Sequence, residues 1–183
     1  MNDLMIDTET LGTSVGSPII SVAAVFFDPE SGTIGRTFYR IVQLDSALKH
    51  GQIEPSTLSW WMAQSDKARE IFASSESFLL EDVLNQLSCF IKSISDPKEV
   101  RVWGNGPSFD NAILAYAYKS FGQQLPWAFR NDRDVRTIAD LAKRLKNVDA
   151  ISLTKRHGVH HNSLDDAVYQ AAYVSLAYKA LKE

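Results

Sequence analysis

"LMIDTET", residues Leu4 to Thr10, is the stretch on which the fold turns. It begins apolar and then alternates, which predicts a β-strand. Successive side chains of a strand point to opposite faces, so Asp7 and Glu9, two apart, project from the same one. Two carboxylates side by side repel and raise each other's pKa unless a positive charge lies between them, and a divalent cation is the economical partner. The plainer alternative is a strand end whose acids face water, because D-x-E is a common triplet.

Working outward, "PIISVAAVFFDP" (Pro18 to Pro29) is rich in β-branched and aromatic residues and predicts a second strand. "DPESGTIG" (Asp28 to Gly35) carries Pro and Gly at turn spacing, and "TFYRIVQL" (Thr37 to Leu44) supplies a third strand, making an antiparallel N-terminal meander. In "SESFLLEDVLNQLSCFIKSI" the apolar residues Leu80, Val83, Leu84, Leu87, Phe90, Ile91 and Ile94 recur at helical spacing and predict an amphipathic helix. "EVRVWGNG" (Glu99 to Gly106) is a short strand ending in a glycine turn, and "DNAILAYAYKSFG" (Asp110 to Gly122) a helix closed by glycine. Two further helices are predicted over Asp134 to Leu145 and Ser163 to Leu181. Strands first, then helices alternating with strands, predict an α/β fold with a mixed sheet covered by helices.

At 183 residues, 45% hydrophobic and 22% charged, the chain can bury a sizeable core as a single domain over residues 1–183. The longest apolar run, Val22 to Phe27, is far too short to cross a bilayer, and the N-terminus lacks a signal-peptide pattern, so a cytoplasmic protein with no membrane partner is expected. A net charge of -3 argues against coating nucleic acid by bulk electrostatics. A local basic path is still open: Arg130 to Arg156 holds eight Lys or Arg against four Asp. Either a solvated face or a phosphate-facing one fits that count. The lone Cys89 sits in an apolar pattern and is expected to be a buried core thiol without a redox role.

Asp110 follows "WGNGPSF", where a strand ends and a helix begins. Ligand sites collect at the carboxyl ends of parallel strands, but Asp is also a preferred helix N-cap, and either role suits this position. "RHGVHHNSLDDA", residues 156 to 167, crowds three histidines and two aspartates together. His157, His160 and His161 do not complete a structural zinc site, since no Cys or second His pair joins them. Asn162 or Ser163 can cap the final helix. His160 with Asp165 has the same five-residue spacing as His161 with Asp166. Within one helix that spacing would turn the pair about 140° apart, so it converges only if the histidine lies outside the helix.

The joint pattern resembles the DEDDh branch of the DnaQ-like 3′-5′ exonucleases, within the ribonuclease H-like superfamily. "DTET" matches the first motif with Asp7 and Glu9, "GPSFD" the second with Asp110, and "HNSLDDA" the third with His161 and Asp166. Ala167 after the second acid favours the His161–Asp166 register by resemblance. Ser163 stands where many members have Ala. "TLSWWMAQSDKAR" (Thr57 to Arg69) further resembles a small stand-alone subgroup, exonuclease VIII-like in phages and prophages or exoribonuclease-like elsewhere.

The resemblance implies a ribonuclease H-like mixed sheet and hydrolysis of RNA or single-stranded DNA from the 3′ end with two Mg²⁺ ions, for which Mn²⁺ can substitute. Asp7 would bridge both ions, Glu9 and Asp166 would complete one site and Asp110 support the other, with His161 as general base. A neutral histidine suits that role because its ordinary pKa lies near 6.5. Leu11 and Gly12 would meet the terminal nucleotide, Trp60 or Trp61 could stack on bases with at least one of them in the core, and Arg136, Lys143 and Arg144 could follow the phosphates. A homodimer is possible by the same resemblance. A ribonuclease H-type endonuclease is disfavoured by the third-motif spacing, and a catalytically silent nucleic-acid-binding module by retention of all five motif residues.

Overall fold

The structure, a computed structural model, describes residues Met1–Glu183. Strands β1 (Asp3–Thr10), β2 (Ile19–Phe27) and β3 (Ile34–Val42) form the antiparallel meander. Helices α1 (Leu44–Leu48), α2 (Pro55–Met62) and α3 (Asp66–Arg69) follow, then β4 (Ser77–Phe78) and α4 (Leu80–Lys92). The second half runs through β5 (Arg101–Gly104), α5 (Asp110–Ser120), β6 (Asp132–Asp134), α6 (Val135–Lys146), α7 (Ala150–Leu153) and α8 (Ser163–Lys182). The six strands lie in the order β4-β3-β2-β1-β5-β6, with β4, β5 and β6 parallel to their neighbours β3, β1 and β5. This is the mixed α/β sheet that the pattern predicts.

The alternation of β1 sorts its side chains between two cores. Leu4 and Ile6 pack with Val22, Ala24 and Phe26 of β2 beneath α4 and α5. Met5 joins Ala23, Val25 and Phe27 on the opposite face, beneath α8 and α6. Every residue of β2 is buried, which is why its sequence is a continuous apolar run rather than an alternating one. The side of α8 that meets the sheet offers Ala167, Ala171, Val174 and Ala177, small residues that let the helix lie close over β1 and β2.

Three expectations need adjustment. The third strand begins three residues earlier, at Ile34, and stops at Val42, so Leu44 opens a helix instead. Ser77 and Phe78, within the predicted helical stretch, form the short edge strand β4. Cys89 is exposed, because the buried side of α4 is defined by Leu80, Val83, Leu84, Leu87 and Ile91, and Cys89 falls outside that stripe. No helix is long and apolar enough to cross a membrane.

Candidate active site

The carboxyl end of β1 sits between α5 on one face and α8 on the other. Asp7 and Glu9 point to the α8 face, where Asp166 in the first turn of that helix meets them; carboxylate oxygens of the three lie within 4.8 Å of one another. Glu9 is 7% exposed and Asp166 8%, while Asp7 is half-buried. Asp110, 3% exposed, comes round from the α5 face to the same cleft of about 480 Å³. It is the first residue of α5 rather than its cap, and its Oδ1 accepts the Thr8 backbone N–H at 3.0 Å and the Thr8 hydroxyl at 2.8 Å. Thr8, the residue between the two strand acids, thus ties the second motif to the first.

The electrostatics differ from those of an ordinary buried acid. Asp3 lies on the same strand and face, but Arg101 donates to both of its oxygens, at 2.9 and 2.6 Å, and the Trp103 indole adds a third bond at 2.9 Å. Asp7 receives one neutral donor, the Gln170 amide at 2.7 Å. Burial and then the charges of Asp110, Glu9 and Asp166 push its carboxyl well above the usual range, with the Gln170 bond opposing. Glu9 is raised to about 8 by burial, then by Asp166 and Asp110. Asp110 is raised to about 6 by burial, with the Thr8 donors and Arg136 working against it.

The loop before α8 places the two histidine–aspartate pairs differently. Asn162 caps the helix by accepting from the amides of Leu164 and Asp165, so His161 lies outside it. Asp165 turns away from the acids and accepts the Val159 N–H at 2.7 Å, packed against Gly158, while Asp166 faces them. The His161 backbone N–H donates to Asp166 Oδ2 at 3.1 Å, a contact made with φ at 66°, in the left-handed region that His enters more readily than most residues. Its ring stands edge-on to Trp60 at 4.6 Å and stacks on His160 at 3.8 Å. Both rings line the acidic cleft, His160 the more exposed of the two. Burial, and then the neighbouring His160, lower the His161 pKa from 6.5. Ser163 is buried, with its hydroxyl 2.9 Å from that of Ser21 on β2, which explains why a small residue is required there.

An adjoining cleft of about 440 Å³ is lined by Gly12, the hydroxyls of Thr10, Thr13, Ser56 and Thr57, and the rings of Trp60 and Phe109. Here two expected contacts move. Leu11 is 1% exposed in a small core, and its N–H and carbonyl are taken by Pro18 and Glu54. Trp61 is equally buried in that core and donates its indole N–H to the Thr10 carbonyl at 2.9 Å. Trp60, one residue and about 100° round the helix, is the 41% exposed ring at the cleft. Arg136 does line the acidic cleft, held by Asn105 Oδ1 at 3.1 Å. Lys143 and Arg144 instead pair with Asp149 and Asp140 at the surface. His157 lies in the loop before α8, outside the acidic cleft.

Several cleft residues, Gln170 and Arg156 among them, carry no signal that the sequence reading used. Gln170 is one helical turn after Asp166, a spacing that could have exposed it. Arg156 pairs with Asp166 and reaches the cleft from a loop, where no periodicity points to it.

A family model described as the 3′-5′ exoribonuclease Rv2179c-like domain matches residues 2–178. An exodeoxyribonuclease of Enterobacteria phage T4 is 28% identical over 193 residues, covering 91% of this chain and 84% of the phage protein. Among solved structures, cell-death related nuclease 4 (CRN-4) superposes with a TM-score of 0.67 at 14% identity, over 95% of this chain but only 62% of that one. The nuclease domain of 3′hExo, a DEDDh family member bound to rAMP, gives 0.60 at 15% identity over 95% of this chain and 90% of its own. The shared fold is the ribonuclease H-like mixed sheet covered by helices.

Proposed function

This chain belongs to the 3′-5′ exoribonuclease Rv2179c-like family, and on that premise we propose that residues 1–183 act as one two-metal-dependent 3′-5′ exonuclease domain on single-stranded RNA or DNA. As a member it is a DEDDh-type nuclease, a hydrolase of phosphodiester bonds. The observation that carries the rest is the meeting of Asp7, Glu9 and Asp166 within 4.8 Å at a strand end that also holds Asp110.

These residues fit divalent cations. The donors are hard oxygens, which suit Mg²⁺ and admit Mn²⁺. Burial first and mutual repulsion second raise the Asp7 and Glu9 pKa values, and both are costs that a bound cation offsets. Beside them the buried Oε1 of Gln170 lacks a hydrogen-bond partner, as suits an acceptor for the hydration shell of an ion. Asp7, Glu9 and Asp166 would hold one cation, and Asp7 with Asp110 the other. When bound, the cations supply positive charge that acidifies water and offsets the charge growing on the phosphate and the leaving oxygen.

The chain's own groups do the remainder. His161, its pKa lowered from 6.5, is neutral at pH 7 and accepts the proton of the attacking water. The water oxygen bonds to phosphorus as the P–O3′ bond breaks, releasing a nucleoside 5′-monophosphate; the new 3′ oxygen takes a proton from solvent. Trp60 and Phe109 flank the hydroxyl-lined cleft in which the terminal base and sugar pack, and Arg136 holds a phosphate. Loss of nucleotides from a labelled strand should require Mg²⁺ or Mn²⁺ and vanish in Asp7→Ala while the fold survives. A wild-type chain that releases no nucleotide with either ion refutes the reading. Matched RNA and DNA oligonucleotides, blocked at each end in turn, assign sugar and polarity, since the family bears a ribonuclease name and the phage relative a deoxyribonuclease one.

A further inference from the structure

Arg156 is the one cation that touches an acid of the cluster directly. It stands in the loop between α7 and α8, its Nη1 donates to Asp166 Oδ1, and its guanidinium lies 4.2 Å from the centre of the Tyr169 ring. The other Asp166 oxygen, Oδ2, accepts the His161 N–H. Both oxygens of this carboxylate are therefore engaged by protein donors, although Asp166 is also one of the three acids whose oxygens converge. A divalent ion drawn to the oxygen held by Arg156 brings two positive charges against one already in place, and like charges at such separations in a shielded cleft repel strongly. The two cannot share that oxygen on equal terms.

A guanidinium that leaves Asp166 is not lost to solvent. Tyr169 offers its face as a resting place, and Arg156 already lines the acidic cleft, where a strand's backbone phosphates are the only anions a substrate brings. The planar fork of arginine matches two phosphate oxygens as well as it matches a carboxylate.

We propose that Arg156 is an exchanging counter-ion: a divalent cation displaces it from Asp166, and the freed guanidinium then binds the backbone phosphate of the strand being cut. The inference rests on the reading of the acid cluster as a cation site. It makes Arg156 a positioning residue whose contact with the acid opposes metal loading and whose contact with phosphate favours substrate, so cation entry and strand engagement are coupled through one side chain.

The test separates the two halves. Mn²⁺ binding without nucleic acid, followed by electron paramagnetic resonance, should be about tenfold tighter in Arg156→Gln than in wild type. Gln keeps part of the stem on Tyr169 and removes the charge, and circular dichroism confirms that the variant folds. Binding of a single strand in Ca²⁺ should weaken about tenfold in the same variant, and the salt slope should fall by about one. Arg156→Lys, which retains the charge and loses the fork, should keep wild-type Mn²⁺ affinity and still bind strand less tightly. Unchanged or weaker Mn²⁺ binding in Arg156→Gln overturns the exchange, and unchanged strand binding overturns the phosphate contact. A wild-type chain and a variant that both bind no Mn²⁺ refute the cation site, and the exchange with it.

Discussion

Replacing Glu9 with Gln should make the protein more stable in a chelator while abolishing its activity. The folded-state pKa of Glu9 is raised from 4.5 to about 8, so between those values the unfolded chain has released a proton that the folded chain retains. Stability therefore falls as pH rises through this window, the sign expected of an acid whose folded pKa exceeds its unfolded one. At pH 7 the solution stands two and a half pH units above the unfolded value of 4.5, and at about 1.4 kcal/mol per unit the penalty is about 3 kcal/mol. Gln carries no such penalty. For a chain of this size that gain corresponds to a melting temperature higher by roughly 6–12 °C at pH 7, shrinking to a small fraction of that at pH 5. Divalent cation should close most of this gap, because a ligand that binds only the folded wild type adds about 2.7 kcal/mol at a hundred times its Kd, and the variant has lost a ligand. Thermal melts of both proteins at pH 5 and pH 7, with chelator or with Mg²⁺, supply all the comparisons. A variant less stable than wild type at pH 7 in chelator, or a stability gap that ignores pH, would refute the electrostatic account of the cluster.

Asn enters the left-handed region readily, so His161→Asn should leave the melting temperature within a few degrees of wild type. The same variant should lower turnover by about 10²–10⁴, the range for a lost general base, measured in single-turnover assays with saturating Mg²⁺. The two adjacent tryptophans should behave oppositely. Trp60→Ala should weaken strand binding by an amount equivalent to about 1–3 kcal/mol with little change in melting, whereas Trp61→Ala empties a buried site and should cost about 3–5 kcal/mol of stability in urea titrations. Gly158 has φ at 79°, and a Cβ there would meet the Asp165 carboxylate. Gly158→Ala should accordingly displace the His161 loop, cutting turnover by more than tenfold while circular dichroism still reports a folded protein; full turnover would show that the loop position does not depend on that contact.

How far the fold was legible depends on how much of each element repeats. β1, β2 and α4 are long enough to carry a clear pattern, which made each element predictable, together with the shared face of Asp7 and Glu9 and the buried stripe of Leu80, Val83, Leu84, Leu87 and Ile91. β4 and β6 span two and three residues, too few to establish any period, and exist because longer neighbours offer them an edge. Trp60 and Trp61 show a different limit. Composition announces aromatic residues on a helix, but which of two neighbours faces the core is a matter of helical phase, and α2 is too short and too evenly apolar for its sequence to set that phase. Cys89 is the converse case: its apolar neighbours belong to the buried stripe of α4, and it does not.

The site was legible where its chemistry is local and hidden where it depends on compensation from afar. Asp3, Asp7 and Glu9 stand on one strand and share a face, and nothing within "DLMIDTE" distinguishes the first from the other two. What separates them is Arg101, 98 residues away, which neutralises Asp3, against the single neutral Gln170, 163 residues away, that reaches Asp7. An acid becomes available to a cation only if the fold withholds a cation of its own from it. Asp166 lies between these limits, because Arg156 hangs from a loop and meets only one of its oxygens, through Nη1 alone. A partner held that loosely can be exchanged where Arg101, fixed to both oxygens of Asp3, cannot, and the difference in tethering rather than in charge is what makes one arginine structural and the other mobile between acid and phosphate.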